Sequence, residues 1–259
     1  MQNTAESALP MLVSWGTRAV YLGPGLQLPA HRNAVAVLAL ALEAPMRVAL
    51  DPHDAARGFR LCRSALIGPN QLHLIEMTTQ SHAFIYLDGL SQDLVTLRKR
   101  CLHQQERWSF DLVDEAEVIG SIARMPRTLE AWENAVARLA ESLGFTQQHV
   151  DPRIAKVVQA LQMSPDDARQ AEDWAIDVGL SSSRFQHLFK EHMGIPFRRF
   201  RLWVRMRAAI AYALNGHNLT EATMKAGLSS SAHLSAAFTG MFGIAPSQIL
   251  NASPVYVEG

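Results

Sequence analysis

The chain reads as an α+β protein, with a strand-rich N-terminal half over residues 1–145 and an all-helical half over residues 151–251. Three observations predict this. Short apolar runs separated by turn residues fill Met11 to Leu87. Beyond Ser91 the apolar spacing changes from alternation to the i, i+3, i+4 pattern of helices. In the second half a segment recurs, first as Gly179-Leu180-Ser181-Ser182-Ser183 and again as Gly227-Leu228-Ser229-Ser230-Ser231.

The chain has 259 residues, with 48% apolar and 19% charged side chains, a globular mixture long enough for two cores. Its formal net charge is zero, but the average hides an asymmetry. Arg184, Lys190, Arg198, Arg199, Arg201, Arg205 and Arg207 stand against Glu191 alone, while Asp166, Asp167, Glu172, Asp173 and Asp177 lie just upstream. A basic surface beside an acidic one is oriented toward an anionic partner. Cys62 and Cys101 match neither zinc nor disulfide spacing, which fits a reducing compartment. The N-terminus lacks the basic and apolar regions of a signal peptide, and no apolar run reaches membrane-spanning length. A soluble, cytoplasmic protein without membrane partners is expected.

Strands are predicted at Leu12-Val13, Arg18–Leu22, Ala34–Leu42, Met46–Leu50, Phe59–Leu66, Leu72–Met77 and Ala83–Leu87. Gly23-Pro24-Gly25, Glu43-Ala44-Pro45, Asp51-Pro52, Gly68-Pro69-Asn70 and Asp88-Gly89 supply the turns. Short strands at this spacing predict a small antiparallel barrel or sandwich. Ser91 then caps a helix to about Gln105. A second helix, Leu129–Leu143, carries an apolar stripe of Trp132, Ala135, Val136, Leu139, Ala140 and Leu143. Its own half of the chain or a second copy could cover that stripe. A polar link with Gln147 and Gln148 leads to a new helix at Asp151-Pro152, with Ile154, Val157, Val158 and Leu161 on one face.

The repeated segments read as two helix-turn-helix units. Ala171–Val178 and Thr220–Ala226 are the first helices, Ser182–His192 and Ser231–Met241 the recognition helices. Phe189 matches Phe238, and Gly194-Ile195 matches Gly243-Ile244. Between the units, Pro196–Leu214 forms a connector with Phe197, Phe200, Val204, Ala208 and Ala211 at helical spacing. At about 28 Å it can set two recognition helices into neighbouring major grooves, about 34 Å apart on one duplex.

These residues resemble the AraC/XylS family of bacterial transcription regulators. The resemblance rests on Trp174–Lys190, Gly194–Phe200, Arg205-Met206-Arg207-Ala208, and Gly227 through Phe242-Gly243-Ile244-Ala245-Pro246, and covers Asp151 to Leu250. It implies a seven-helix DNA-binding unit with two helix-turn-helix motifs. Family members place an arginine in each recognition helix, whereas here His187 and Ala236 hold those positions, and Ser231–Met241 has no Lys or Arg. Candidate base contacts are Ser183, Arg184, Gln186 and His187 in the first helix, and Ser231 and His233 in the second. Candidate phosphate contacts are Ser182, Arg198, Arg199, Arg201, Ser229, Ser230 and Thr239. Phe185, Leu188, Phe189, Leu234, Phe238, Trp174 and Trp203 are expected in the core.

The N-terminal strands resemble the cupin-like barrel that often precedes such a unit. Gly25 followed by His31, and Pro69-Asn70-Gln71-Leu72-His73, match the cupin metal motifs in part. Asn33 stands where a histidine is expected, and Val37 and Leu38 where a glutamate is. Two histidines are too few for a catalytic metal, which needs three ligands and an open position. The expectation is no metal or cofactor, and instead a small-molecule effector pocket with His31, Asn33, His73 and Glu76 as polar contacts. A filled barrel that only dimerises or docks remains the alternative. No catalytic set is visible. Ser182 and Ser183 have nearby histidines without an orienting acid, and Gly23-Pro24-Gly25 opens no helix. The expected function is a sequence-specific DNA-binding transcriptional regulator and not an enzyme. Promoter DNA, an effector, RNA polymerase and a second copy in a homodimer are its expected partners. Two alternatives stay open: a metal-dependent cupin enzyme with a fused DNA-binding domain, and an interaction protein that has lost specific DNA binding. The effector, the target sequence and the direction of regulation are not written in these residues.

Overall fold

A computed structural model describes residues 10–15, 18–25, 29–49, 58–77, 79, 81–87, 92–105, 108–125, 132–145, 150–251 and 255–258. The expected turns Asp51-Pro52 and Asp88-Gly89, the cap Ser91 and the link residues Gln147 and Gln148 lie outside them.

The N-terminal half contains β1 (Met11–Trp15), β2 (Arg18–Gly23), β3 (Ala36–Ala41), β4 (Met46–Ala49), β5 (Phe59–Cys62), β6 (Ser64–Ile67), β7 (Leu74–Glu76), β8 (His82–Leu87), α1 (Gln92–Lys99), β9 (Cys101–Gln104), β10 (Trp108–Leu112), α2 (Glu115–Ala123) and α3 (Trp132–Ser142). The C-terminal half contains α4 (Pro152–Met163), α5 (Ala171–Asp177), α6 (Ser182–Met193), α7 (Phe197–Leu214), α8 (Leu219–Lys225), α9 (Ser231–Phe242), α10 (Pro246–Asn251) and β11 (Val255–Glu258).

The larger sheet runs β11-β1-β2-β8-β3-β6-β10-β9, and a smaller one runs β5-β4-β7. All pairs are antiparallel except β1 with β11, where Met11 faces Val255 and Ser14 faces Glu258. β3, AVLALA, and β8, HAFIYL, are buried at every position. A strand without polar alternation needs cover on both faces. One face sets Leu38, Leu40 and Ile85 against Leu97 of α1, Val118 and Ile122 of α2 and Leu139 of α3. The other sets Val37, Ala39, Phe84 and Tyr86 against Met46 and Val48 of the small sheet, and against Trp203, Phe238 and Phe242 of the helical half. The α3 stripe, with Ala135, Val136, Leu139 and Leu143 buried, is thus covered within the chain.

Several elements differ from the sequence expectation. Phe59–Leu66 is not one strand, because it breaks at Arg63, whose guanidinium donates to the Leu42 carbonyl at 2.8 Å. Its two pieces join different sheets. The helix after residue 91 stops at Lys99, and Cys101–Gln104 pairs with β10 instead, leaving Leu102 65% exposed. Ladder formation here outweighs the apolar spacing. Strands β9, β10 and β11 and helix α2 have no counterpart in the sequence expectation.

In the helical half, Asp151 caps α4 by accepting from the Arg153 amide at 2.9 Å, with Pro152 at the first turn. Ser181 caps α6, Asn218 caps α8 and Ser230 caps α9 by the same chemistry. The connector α7 has 18 residues, roughly 27 Å of helix. Phe185, Phe189, Phe197 and Phe200 interlock at centroid distances of 5.2–5.8 Å and fix α6 on α7.

Candidate nucleic-acid interface

Each helix-turn-helix turns on a glycine with positive φ, Gly179 at 67° and Gly227 at 74°. At Gly227 a side chain would come within 2.6 Å of the Asp166 backbone, so the second turn can pack on the first unit only as glycine. The expected core residues are all buried: Phe185, Leu188 and Phe189 in α6, Leu234 and Phe238 in α9, Trp174 and Trp203 beside them. Packing these phenylalanines and leucines inward turns the remaining faces of α6 and α9 to solvent.

The outward face of α6 carries Ser183, Arg184, Gln186, His187 and Lys190, all exposed. Gln186 donates to the Ser182 hydroxyl at 3.3 Å, and that hydroxyl donates to Glu172 at 3.1 Å. His187 lies 4.0 Å from Glu191. The outward face of α9 carries Ala232, His233, Ala236, Thr239 and Gly240, with Ser231 half-buried. His233 is the largest of these. Its Nδ1 lies 3.0 Å from the Ser229 hydroxyl, and its amide donates to the Ser230 cap.

The connector arginines divide. Arg198 is exposed. Arg199, expected on phosphate, instead donates to the Ala34 carbonyl of the N-terminal half at 3.3 Å. Arg201, also expected on phosphate, donates to the Asp167 carbonyl at 3.0 Å, and burial lowers its pKa. Arg205 joins it on the Pro165 and Asp167 carbonyls at 3.1 and 2.8 Å. These two guanidiniums satisfy carbonyls of the α4–α5 loop, tying the first unit to the connector. The upstream acids are similarly engaged. Asp167 and Asp177 hold Arg169 at 2.8 and 2.5 Å, and Asp173 caps α5.

The expected effector residues only partly converge. His31, Asn33 and His73 line one pocket with Val37, Ile75, Met77, Phe84 and Tyr86. Glu76 does not line it; it pairs with Arg47 at 2.8 Å on the surface. His31 and His73 face each other across a two-residue bridge, with ring centroids 4.3 Å apart. Each Nδ1 donates to a carbonyl, His31 to Pro29 at 2.9 Å and His73 to Gln71 at 2.8 Å. Burial, reinforced by His31, pushes His73 down to about 4, and burial also lowers His31. Both rings are therefore neutral near pH 7, with Nε2 as an acceptor. Among the described residues no three His, Cys, Asp or Glu side chains converge in a metal-binding group.

A second, larger cavity lies between the two halves. Leu12, Ser14, Ala19, Tyr21 and Tyr86 face Trp203, Met206, Arg207, Ile210, Phe238, Phe242, Ile244 and Ile249 across it. No sequence signal marked it, because its walls belong to segments separated by more than 100 residues. Arg207 shows the difficulty: it is basic in a basic stretch, yet it is 8% exposed and faces this cavity.

The helix-turn-helix domain family matches residues 174–252. No curated protein matches the chain. Among solved structures, an apo ToxT variant from Vibrio cholerae strain SCE256 is similar in fold, with a TM-score of 0.52 at 10% identity over 91% of this chain and 97% of that one. Unsaturated fatty acid-bound ToxT from the same strain has a TM-score of 0.47 at 11% identity, over 96% and 97%. An AraC-type DNA-binding domain from Chromobacterium violaceum matches 39% of this chain and 92% of its own length, at 21% identity and a TM-score of 0.36. No helix of the described residues is long and apolar enough to cross a membrane.

Proposed function

With an AraC-type helix-turn-helix domain at residues 174–252 the chain is an AraC/XylS-family regulator, and we propose that it reads promoter DNA mainly through α6. The observation that carries this is the pair of helix-turn-helix units on one connector, α7, with polar side chains outward on α6 and small ones on α9. In this reading Arg184 contacts guanine or phosphate, and Gln186 contacts adenine, with Ser183 and His187 beside them. Ser231 and His233 supply the weaker base contacts of α9. Ser182, Arg198, Ser229, Ser230 and Thr239 hold phosphate.

The reading divides the chain into a sensor over residues 1–145 and a DNA-binding domain over residues 151–251. The two sheets form the cupin-like framework of the sensor, and its effector enters the pocket of His31, Asn33 and His73. A homodimer and a contact with RNA polymerase complete the set of partners, and the chain performs no catalysis. The test is a salt series on promoter fragments. Affinity should fall linearly on a double-logarithmic plot, with a slope set by the number of neutralised phosphates. A flat line would overturn this reading, whereas a normal slope with no motif recovered by selection from genomic DNA would favour the interaction protein that no longer binds DNA specifically, a reading suggested by the absence of Lys and Arg from α9.

A further inference from the structure

The sensor pocket and the second recognition helix share a wall. His31 and Asn33 line the pocket, and against them lies Gly243, the left-handed C-cap of α9. A Cβ built on Gly243 would sit 2.1 Å from His31 Cδ2 and 2.5 Å from Asn33 Oδ1. One residue earlier, the Phe242 ring meets Tyr86, also of the pocket, edge-on at 5.0 Å. Next to Asn33, the Ala34 carbonyl accepts from Arg199 of α7. The end of α9 and the start of α7 are thus seated on the residues expected to sense.

The seat is imperfect in one informative place. Asn33 is 3% exposed, and its Oδ1 has no hydrogen-bond partner. A buried acceptor without a donor is costly and marks a group awaiting a partner. The two histidines present acceptors as well, because each Nδ1–H is used on a carbonyl. Three acceptor atoms, set among Val37, Ile75, Met77, Phe84 and the Tyr86 ring, call for donors.

Resting on the regulator reading, we propose that this pocket takes a compact, largely apolar molecule bearing O–H or N–H donors, and that its binding displaces Gly243 and releases the second recognition helix. The end of α9 covers Asn33 Oδ1, so a donor reaches that oxygen only when α9 withdraws. Withdrawal also frees Arg199 from the Ala34 carbonyl and returns it to the phosphate-facing surface. An acceptor-only carboxylate gains nothing at these three atoms. Because coupling is reciprocal, DNA binding and ligand binding strengthen one another.

The repeat provides the control. Gly194 caps α6 with φ 74°, the same as Gly243. In the full chain, Gly243→Ala and Gly194→Ala strain a cap alike, but Gly243→Ala also pushes α9 off His31. On DNA carrying both half-sites, Gly243→Ala should bind about fivefold tighter or more and extend the footprint over the second half-site, whereas Gly194→Ala should bind no tighter. His31→Ala, which removes the seat without touching α9, should reproduce the gain and covers any folding failure of Gly243→Ala. If neither gains over the wild type, the latch is wrong. A wild type with no footprint at all would instead remove the regulator reading. For ligand class, benzyl alcohol should tighten DNA binding by the wild type and benzoate should not, with the difference lost in Asn33→Leu. Benzoate acting as well as benzyl alcohol, or benzyl alcohol without effect, would overturn the ligand class.

Discussion

Helices α6 and α9 hold equivalent places in two copies of one motif, yet they present different chemistry. The outer face of α6 has long polar side chains, Arg184, Gln186, His187 and Lys190, in solvent. That of α9 has Ala232, Ala236 and Gly240, with His233 as its one ring. Their attachments differ as well. α6 belongs to a unit bound to α7 by Arg201 and Arg205, while α9 ends against the sensor half through Phe242 and Gly243. In the proposed reading the duplicated motif divides its labour: one copy keeps the side chains offered to bases, and the other is the part that the N-terminal half can hold.

The largest effect that sharpens this contrast is on stability. Phe189 is fully buried among three other rings, so Phe189→Ala should cost about 3–5 kcal/mol in urea unfolding. Its repeat equivalent, Phe238, borders the cavity between the halves. Phe238→Ala should cost less, because part of its surroundings is already empty. Equal losses would mean the second unit is packed as tightly as the first.

The next effect belongs to the side where α9 is seated. His73 is held at about 4, against 6.5 in a solvated chain, with burial the main cause. Between those values the unfolded chain takes up a proton that the folded chain refuses. Stability contributed by the neutral ring is therefore present above pH 6.5 and is lost as pH falls toward 4, by up to about 3 kcal/mol. His31, lowered in the same direction, adds to the slope. Thermal melts from pH 7.5 to 4.5 should show the loss, and His73→Gln should flatten it. An unchanged slope in His73→Gln would place the acid sensitivity elsewhere.

The helical half is legible in the sequence and the strand-rich half only in outline, for a physical reason. Helix faces and caps are local: Asp151-Pro152, Ser181 and the paired Gly-Leu-Ser turns announce their helices within a few residues. Gly243 is legible in the sequence as the repeat partner of Gly194, but its contact with His31 and Asn33 joins positions about 210 residues apart. Arg199, Arg201 and Arg207 carry the same charge in one run, and only the tertiary structure assigns them to a sensor carbonyl, a loop carbonyl and a cavity. Strands β9 and β11 are not legible in the sequence because each owes its existence to a neighbouring edge, β10 and β1, rather than to an apolar run of its own. Glu76 was misplaced because strand alternation alone does not say which face meets the pocket.

On DNA, Arg184→Ala should lower affinity for the preferred sequence by about 10- to 100-fold, the value of one bidentate base contact, with much less loss on unrelated DNA. The converse change, Ala236→Arg, gives α9 the side chain it lacks at an exposed position. It should add preference at the second half-site, measured by selection from random sequences. If Arg184→Ala weakens all sequences equally while Ala236→Arg adds no preference, discrimination does not reside in these outward faces.

The smallest effect separates holding from reading. Arg198 is exposed at the start of α7, where Arg199 and Arg201 beside it are engaged with carbonyls. A lone exposed guanidinium next to a recognition helix neutralises about one phosphate. Arg198→Ala should therefore weaken every sequence by a similar few-fold factor and reduce the salt slope by about 1. Arg199→Ala should leave the slope nearly unchanged while α9 is seated, because its guanidinium is then turned toward Ala34. It should gain an Arg198-like effect in the Gly243→Ala background, where the seat is gone. A double-mutant cycle at three salt concentrations measures this directly. Additive slopes in both backgrounds would show that Arg199 reaches phosphate whether or not the sensor holds the second unit.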